Sequence, residues 1–295
     1  MRWWKIAAAC AAFTAFGPVA AQERFSIFVG SNPESIERMV QIANLRAGDV
    51  VTDLGSGDGR IVFTAVQSQT GVSGWGVDID EKLVVASNAE AKKLGLADRV
   101  QFIHRNAFDA DLTQANVIFM WLWPELMQML RTKILAEALP GTRVITNNWD
   151  LGSWKADRID DRQPPVNLWI VPAKVEGNWN WELTVGGIKR NYGAVLEQHF
   201  QMLEGAVRAG DRRGLFRNMK LSGENIDFTL DMTLDGTGPM RHLFSGKARG
   251  DTITGTVRVV RLKGEEQIGD TETLPWQATR GAKSTYFAPT GLVKR

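Results

Sequence analysis

The stretch VVTDLGSGDGRIVF, Val50 to Phe63, sets an acid, Asp53, two residues ahead of glycines at 55, 57 and 59. An apolar run that passes through alternating glycines into a helical pattern at Arg60 brings main-chain N–H groups and a helix amino end up to a ligand. Glycine is wanted where a Cβ holds that ligand off. Dinucleotide turns share this architecture with the spacing GxGxxG. Begun at Gly55, that spacing needs glycine where the chain has Arg60, which argues against a pyrophosphate. A second acid, Asp78, follows 25 residues after Asp53 in GWGVDIDEKLV. A carboxylate at the end of such a run accepts both hydroxyls of a ribose. Asp80 and Glu81 read instead as the N-cap and first-turn acid of the helical pattern EKLVVASNAEAKK.

An acid two places before GxGxG resembles the first motif of class I S-adenosylmethionine (SAM) methyltransferases. The resemblance implies a Rossmann-like sheet and SAM as cofactor. It puts Asp53 by the methionine amino group and lets the backbone at Gly55, Ser56 and Gly57 approach the ligand, with Asp78 and Ile79 at the nucleoside. Many family members have an aspartate by the adenine amino group at the end of the third strand. Here VQFIHRNAFD has Asn106 followed by Ala107. An amide both accepts from that amino group and donates to a ring nitrogen, and Asn106 reads equally well as a plain turn residue. NPESIERMVQIANLRAGDVVTDLGSGDGRIVF, MWLWPEL and RVITNNWDLGSWKADR together look like bacterial relatives of the mitochondrial lysine methyltransferases that modify the ATP synthase c-subunit, over roughly residues 27 to 173.

That likeness implies methyl transfer to a protein or small-molecule acceptor, protein lysine among the candidates. It turns the segment after the fourth strand, Trp121 to Glu125, toward the acceptor. Proximity and alignment supply most of the rate once the methyl is activated, although a lysine with a reference pKa of about 10.4 must first lose a proton. Glu125 could orient or partly deprotonate the amine, or serve only as a first-turn helix acid. Trp121 and Trp123 could wall the amine's stem or attract its cation, or simply fill the sheet's edge.

The surrounding pattern supplies elements to hold these residues. From Pro33 to about Val171 short apolar runs alternate with helical ones, which implies a parallel sheet with helices on its faces. KADRID and VNLWIV are separated only by DRQPP, too short for a crossover, so they are expected to form an antiparallel hairpin. Beyond PAKVEGN two-residue alternation takes over, clearest in NIDFTLDMTL and weaker in WNWELTV, AVLEQHFQM and TITGTVRVV. This predicts an α/β Rossmann-like domain over 22–174 and an antiparallel all-β domain over 175–295, a small sandwich or open barrel, which could help select the acceptor. RAGDRRGLFR reads as a solvated basic turn.

Residues 1–21 carry a short basic end, 11 mostly apolar residues, a Gly-Pro break and VAA before Gln22, the anatomy of a cleaved secretory signal. An apolar run this short argues against an uncleaved membrane anchor, and Cys10 sits too early for a lipoprotein. Export, to the periplasm of a bacterium, is therefore expected, with no transmembrane span in the mature chain. The single cysteine, Cys10, leaves with the signal, removing disulfides and thiol chemistry. His104, His199 and His242 lack metal-ligand spacing, so no metal is expected. With 35 basic against 33 acidic residues and no basic run, nucleic acid is not an expected partner. The competing function is an exported nucleoside-binding module without turnover, whose β domain does the work.

Overall fold

The computed structural model describes residues 32–264 and 266–288; the signal segment expected at 1–21 lies outside them. The first half is a seven-stranded sheet of order β3-β2-β1-β4-β5-β7-β6. After α1 (Pro33–Ala43) come β1 (Val50–Leu54), α2 (Arg60–Ser68), β2 (Ser73–Asp78), α3 (Glu81–Lys93), β3 (Val100–His104), β4 (Val117–Met120), α4 (Pro124–Glu137) and β5 (Arg143–Asn147). These five strands are parallel, joined by short crossovers, and their order reverses between β1 and β4. Ligands of open α/β sheets bind at such a reversal, outside the strand carboxyl ends. β6 (Arg158–Asp160) and β7 (Val166–Ile170) close the edge as the expected antiparallel hairpin.

Alternation along the strands sorts two cores. Val51, Phe119 and Ile145 face α1, α2 and α3, while Leu54, Ile118, Met120 and Val144 face α4 and the buried Trp154. The helix start signals are those of the sequence: Asn32 accepts from Ser35 N–H ahead of Pro33, and Asp80 accepts from Lys82 N–H.

The second half is one antiparallel sheet of nine strands: β8 (Gly177–Val185), β9 (Ile188–His199), β10 (Met202–Ala209), β11 (Arg212–Leu215), β12 (Arg217–Ser222), β13 (Asn225–Leu234), β14 (Gly238–Arg249), β15 (Thr252–Lys263) and β16 (Glu266–Gly281). Each strand pairs with the next in sequence except β11 with β12, and β16 returns to pair with β8. The result is an up-and-down barrel with one open seam. Phe216 fills that seam, its N–H bonded to Gly205 O and its ring 4.6 Å from Phe228. Trp181, Tyr192, Phe244 and Trp276 pack the interior.

Two local readings are corrected. AVLEQHFQM is not one strand: it turns at Phe200, whose φ is +56°. RAGDRRGLFR is not a wholly solvated turn either, because Arg208 is buried and donates to Gly210 O and Thr285 O.

The barrel hangs from the amino-end edge of the sheet. β7 runs opposite to β5, so Ile170 lies beside Arg143 while Val166 lies beside Asn147. The chain therefore leaves the sheet at the end opposite the strand carboxyl termini. Ala173 N–H bonds Gly223 O, Gln201 reaches Lys155 O, and the Phe200 ring stacks on Trp154 at 5.9 Å. A barrel attached here is poorly sited to choose an acceptor at the carboxyl edge.

Buried Arg38 anchors α1, donating to the Asp160 carboxylate and to the carbonyls of Asp160, Arg162 and Pro164. Arg38→Leu is expected to lower stability by about 3 kcal/mol, the scale of hydrogen bonds to a charged group, in urea unfolding followed by tryptophan fluorescence. A loss below about 1 kcal/mol would show that this anchor is dispensable.

Candidate active site

At the switch point, β1 runs out through Asp53 and Leu54 into the glycine turn. Gly55, Gly57 and Gly59 have φ of +87°, +52° and +80°, a conformation that side chains resist. Close packing adds to the demand. A Cβ on Gly55 would meet Leu122 Cδ2 at 2.6 Å, and one on Gly59 would meet Phe102 Cζ at 2.4 Å. The turn is thus pinched between the segment after β4 and the ring on β3.

The N–H groups of this turn are partly committed within the protein. Gly55 and Ser56 N–H both donate to Val77 O, and Gly57 N–H donates to Asp78 Oδ2 at 2.8 Å. The glycines therefore give shape more than free donors. Ser56 packs its side chain against Gly76, where an added Cβ would stand 2.5 Å away. Ser87 of α3 donates to Gly57 O, holding the turn from the other side.

Asp53 is the unusual residue. It is 1% exposed, and Oδ1 finds no hydrogen-bond partner among the described residues. Burial, with the negative charges of Asp78 and Asp58 added, pushes its carboxyl up to about 8. Arg60 cannot relieve it, since its guanidinium is paired with Asp58 and holds that carboxyl below the usual range. A buried acceptor without a donor is a costly arrangement and marks a place built for a cationic or N–H-bearing partner.

Asp78 ends β2 in a partly buried position. Its Oδ2 accepts from Gly57 N–H and its Oδ1 from Asp80 N–H at 2.9 Å, leaving each oxygen a second lone pair for a hydroxyl. Ile79 follows, its carbonyl 3.0 Å from His104 Nε2. Asn106 is exposed and accepts from Phe108 N–H, capping the short turn Ala107–Asp109, which is the turn role. That bond engages Oδ1, and Ala107 beside it is half-buried.

On the far side of Asp53, Trp121 is half-buried and packs on the α1–α3 core. Trp123 is 50% exposed at the start of α4, and Glu125 stands exposed in its first turn, the helix-acid reading. The structure thus gathers Asp53, the glycine turn, Asp78 and Trp121 at one edge and leaves Trp123 and Glu125 at the surface. It adds Asn147, which the sequence reading did not single out. Asn147 ends β5 at 1% exposure, with Oδ1 unpartnered. Its only signal was a pair of amides, NN, at the end of the strand RVITN. Among the described residues no group of three His, Cys, Asp or Glu could hold a metal ion.

The pH dependence of stability follows from Asp53. Between about pH 4 and 8 the folded chain keeps the Asp53 proton that the unfolded chain has released, so stability falls as pH rises through this window. Asp53→Asn, which carries no proton to lose, is expected to match the parent near pH 4 and exceed it by on the order of a few kcal/mol at pH 9. Thermal melts of both proteins across that range check this. A parallel pH dependence in the two proteins would show that Asp53 is not the group responsible.

Comparison with known proteins finds methyltransferases. The family model described as the ANTKMT methyltransferase domain matches residues 53–158. The chain is 31% identical over 132 residues to a protein-lysine N-methyltransferase of Saccharolobus islandicus (strain REY15A), covering 45% of this chain and 82% of that protein. It is 30% identical over 128 residues to the adenine nucleotide translocase lysine N-methyltransferase of Mus musculus, covering 43% of this chain. The match spans 55% of the mouse protein, about half its length. Among solved structures, an RNA methyltransferase from Salinibacter ruber in complex with S-adenosyl-L-homocysteine matches at 36% identity and a TM-score of 0.48, covering 50% of this chain and 96% of that one. With the motif and the switch-point acids Asp53 and Asp78 inside the matched residues 53–158, and a relative 31% identical over 82% of its own length, the chain is a class I methyltransferase that uses S-adenosylmethionine and carries an ANTKMT-type methyltransferase domain over those residues.

Proposed function

We propose that this enzyme methylates a lysine side chain of a protein acceptor, with Asp53 receiving the cationic amino acid end of the cofactor and Asp78 its ribose. The observation that carries the reading is the buried carboxylate of Asp53, which has an unpartnered oxygen and a carboxyl pushed up to about 8. Such a group gains most from a cation brought next to it, and SAM has an ammonium and a sulfonium but no phosphate. The residues present fit that ligand. The pinched turn at Gly55–Gly57 admits close approach, the spare lone pairs of Asp78 suit two hydroxyls, and Ile79, Asn106 and Ala107 stand on the base side.

When bound, SAM supplies a methyl group already activated on a sulfonium. The chain's own residues then have to position, desolvate and deprotonate. Trp121 offers an apolar wall on the acceptor side, which excludes water and orients a lysine stem. A lysine ammonium would have to give one proton to water before it could accept that methyl group, because only the neutral amine has a lone pair for the N–C bond that would replace the C–S bond. Among the described residues nothing buried at the acceptor side carries a second negative charge, so an ammonium finds no strong partner there and the neutral amine is favoured by the apolar surroundings. The lysine acceptor of the Saccharolobus and mouse relatives, as their names give it, supports the same choice.

Calorimetry is expected to find SAM and S-adenosylhomocysteine binding and no NAD binding. Asp78→Ala is expected to weaken SAM by about 2–3 kcal/mol, the scale of hydrogen bonds to a charged group. Labelled methyl recovered on lysine after incubation with poly-L-lysine or a periplasmic extract would support the acceptor assignment. Label confined to another side chain or to a small molecule would overturn it.

A further inference from the structure

We propose that Asn147 binds the acceptor nitrogen: its side-chain carbonyl accepts an N–H from the neutral amine and so turns the amine lone pair toward the methyl. This rests on the amine acceptor proposed above and names the group that would hold it.

Three observations converge on Asn147. First, its Oδ1 is a buried acceptor with no partner among the described residues, in a side chain only 1% exposed. Native structures rarely leave such an atom empty unless something else fills it. Second, register places it where an acceptor is needed. Asp53 lies beside Phe119 and Phe119 beside Ile145. The ladder ends with Met120 beside Thr146, and the next residues at the carboxyl edge are Trp121 and Asn147. With strands about 4.8 Å apart and about 3.3 Å of rise per residue, Asn147 sits on the order of 11 Å from Asp53, with Trp121 between them. That separation leaves room for a ligand's cationic end at Asp53 and a second reactant at Asn147.

Third, the residue is held rigidly. Asn148 has φ of +69° and donates its N–H to Pro165 O, while Trp149 N–H returns to Asn147 O. Thr146 Oγ1 and Asn167 Nδ2 both donate to Trp149 O. The turn after β5 is therefore pinned from β5 and β7 together, so the carboxamide is presented by a fixed backbone, as a reacting group requires.

The residue type is also chemically apt. A carboxylate beside the amine would favour the ammonium, which has no lone pair to attack with. An amide oxygen accepts one N–H without that electrostatic preference. The lysine ammonium has to give one proton to water before transfer, and the amide oxygen then holds the neutral amine.

The test compares Asn147→Ala and Asn147→Asp with the parent enzyme, with poly-L-lysine as methyl acceptor. Both variants are expected to lower kcat/KM by about 100-fold, the scale set by losing the alignment of a reacting group. S-adenosylhomocysteine affinity should stay within about twofold of the parent, because this residue is assigned no part in cofactor binding. Failure of the isosteric Asp to rescue separates amine binding from mere filling of space. A parallel loss of S-adenosylhomocysteine affinity, or rescue by Asp, would overturn the assignment. A second arm needs no turnover. In the parent protein saturated with S-adenosylhomocysteine, n-butylamine should shift the Asn147 side-chain amide resonance, identified by its absence in Asn147→Ala. If poly-L-lysine is not methylated yet butylamine still shifts that resonance, the lysine acceptor falls and the amine site stands. If butylamine leaves it unmoved, the amine site falls.

Discussion

A carboxylate that is fully buried and short of a partner is the constraint around which the rest of this site is organised. Asp53 sits at the end of the central strand, where desolvation alone disfavours its charge and two further acids disfavour it more. The chain tolerates that cost at the point between β1 and β4 where the order of the parallel strands reverses. The neighbouring residues hold the glycine turn beside it in a fixed shape. Leu122 and Phe102 press on the glycine turn from two sides, Ser87 ties its carbonyl, and Arg60, the nearest cation in sequence, is held on Asp58. Among the described residues nothing donates to Asp53 Oδ1.

The larger architecture follows from the same edge. Five parallel strands carry Asp53, Asp78, Trp121 and Asn147 to one rim, while the antiparallel β7 turns the chain back and delivers the barrel to the opposite rim. Phe200, at the tip of a barrel hairpin, stacks on Trp154 and takes the Arg131 guanidinium over its ring at 5.6 Å. These contacts couple the barrel to the α4 face rather than to the mouth of the site. Within the barrel, His242 is fully buried against Tyr192 OH, and burial holds its pKa down at about 4, so the pair behaves as neutral packing. The barrel thus has its own core and meets the first half through the Phe200 ring and the hydrogen bonds of Gln201 to Lys155 O and of Ala173 N–H to Gly223 O.

Much of this was legible in the chain itself. Alternating strand and helix patterns, the Asp53 turn and the downstream acid Asp78 depend on local spacing, which sequence preserves. The Asp80 cap and the β6–β7 hairpin were readable for the same reason. What escaped depended on contacts between distant segments. The internal use of the Gly55, Ser56 and Gly57 N–H groups comes from β2 lying alongside. The burial of Arg208 comes from Thr285, 77 residues away. The break at Phe200 needed a residue in a left-handed conformation that its type does not announce. Asn147 was missed because an amide at a strand end looks like any turn residue until its burial and empty oxygen are seen.

The central claim is that a cation carried by the cofactor takes the place of the proton on Asp53. Isothermal titration of SAM at pH 6.5, repeated in buffers of different ionisation enthalpy, measures protons exchanged on binding. Release of close to one proton per SAM bound, abolished in Asp53→Asn, is the result expected from a carboxyl pushed up to about 8 in the free protein. Binding heats that do not change with the buffer, or that change equally in Asp53→Asn, would contradict it.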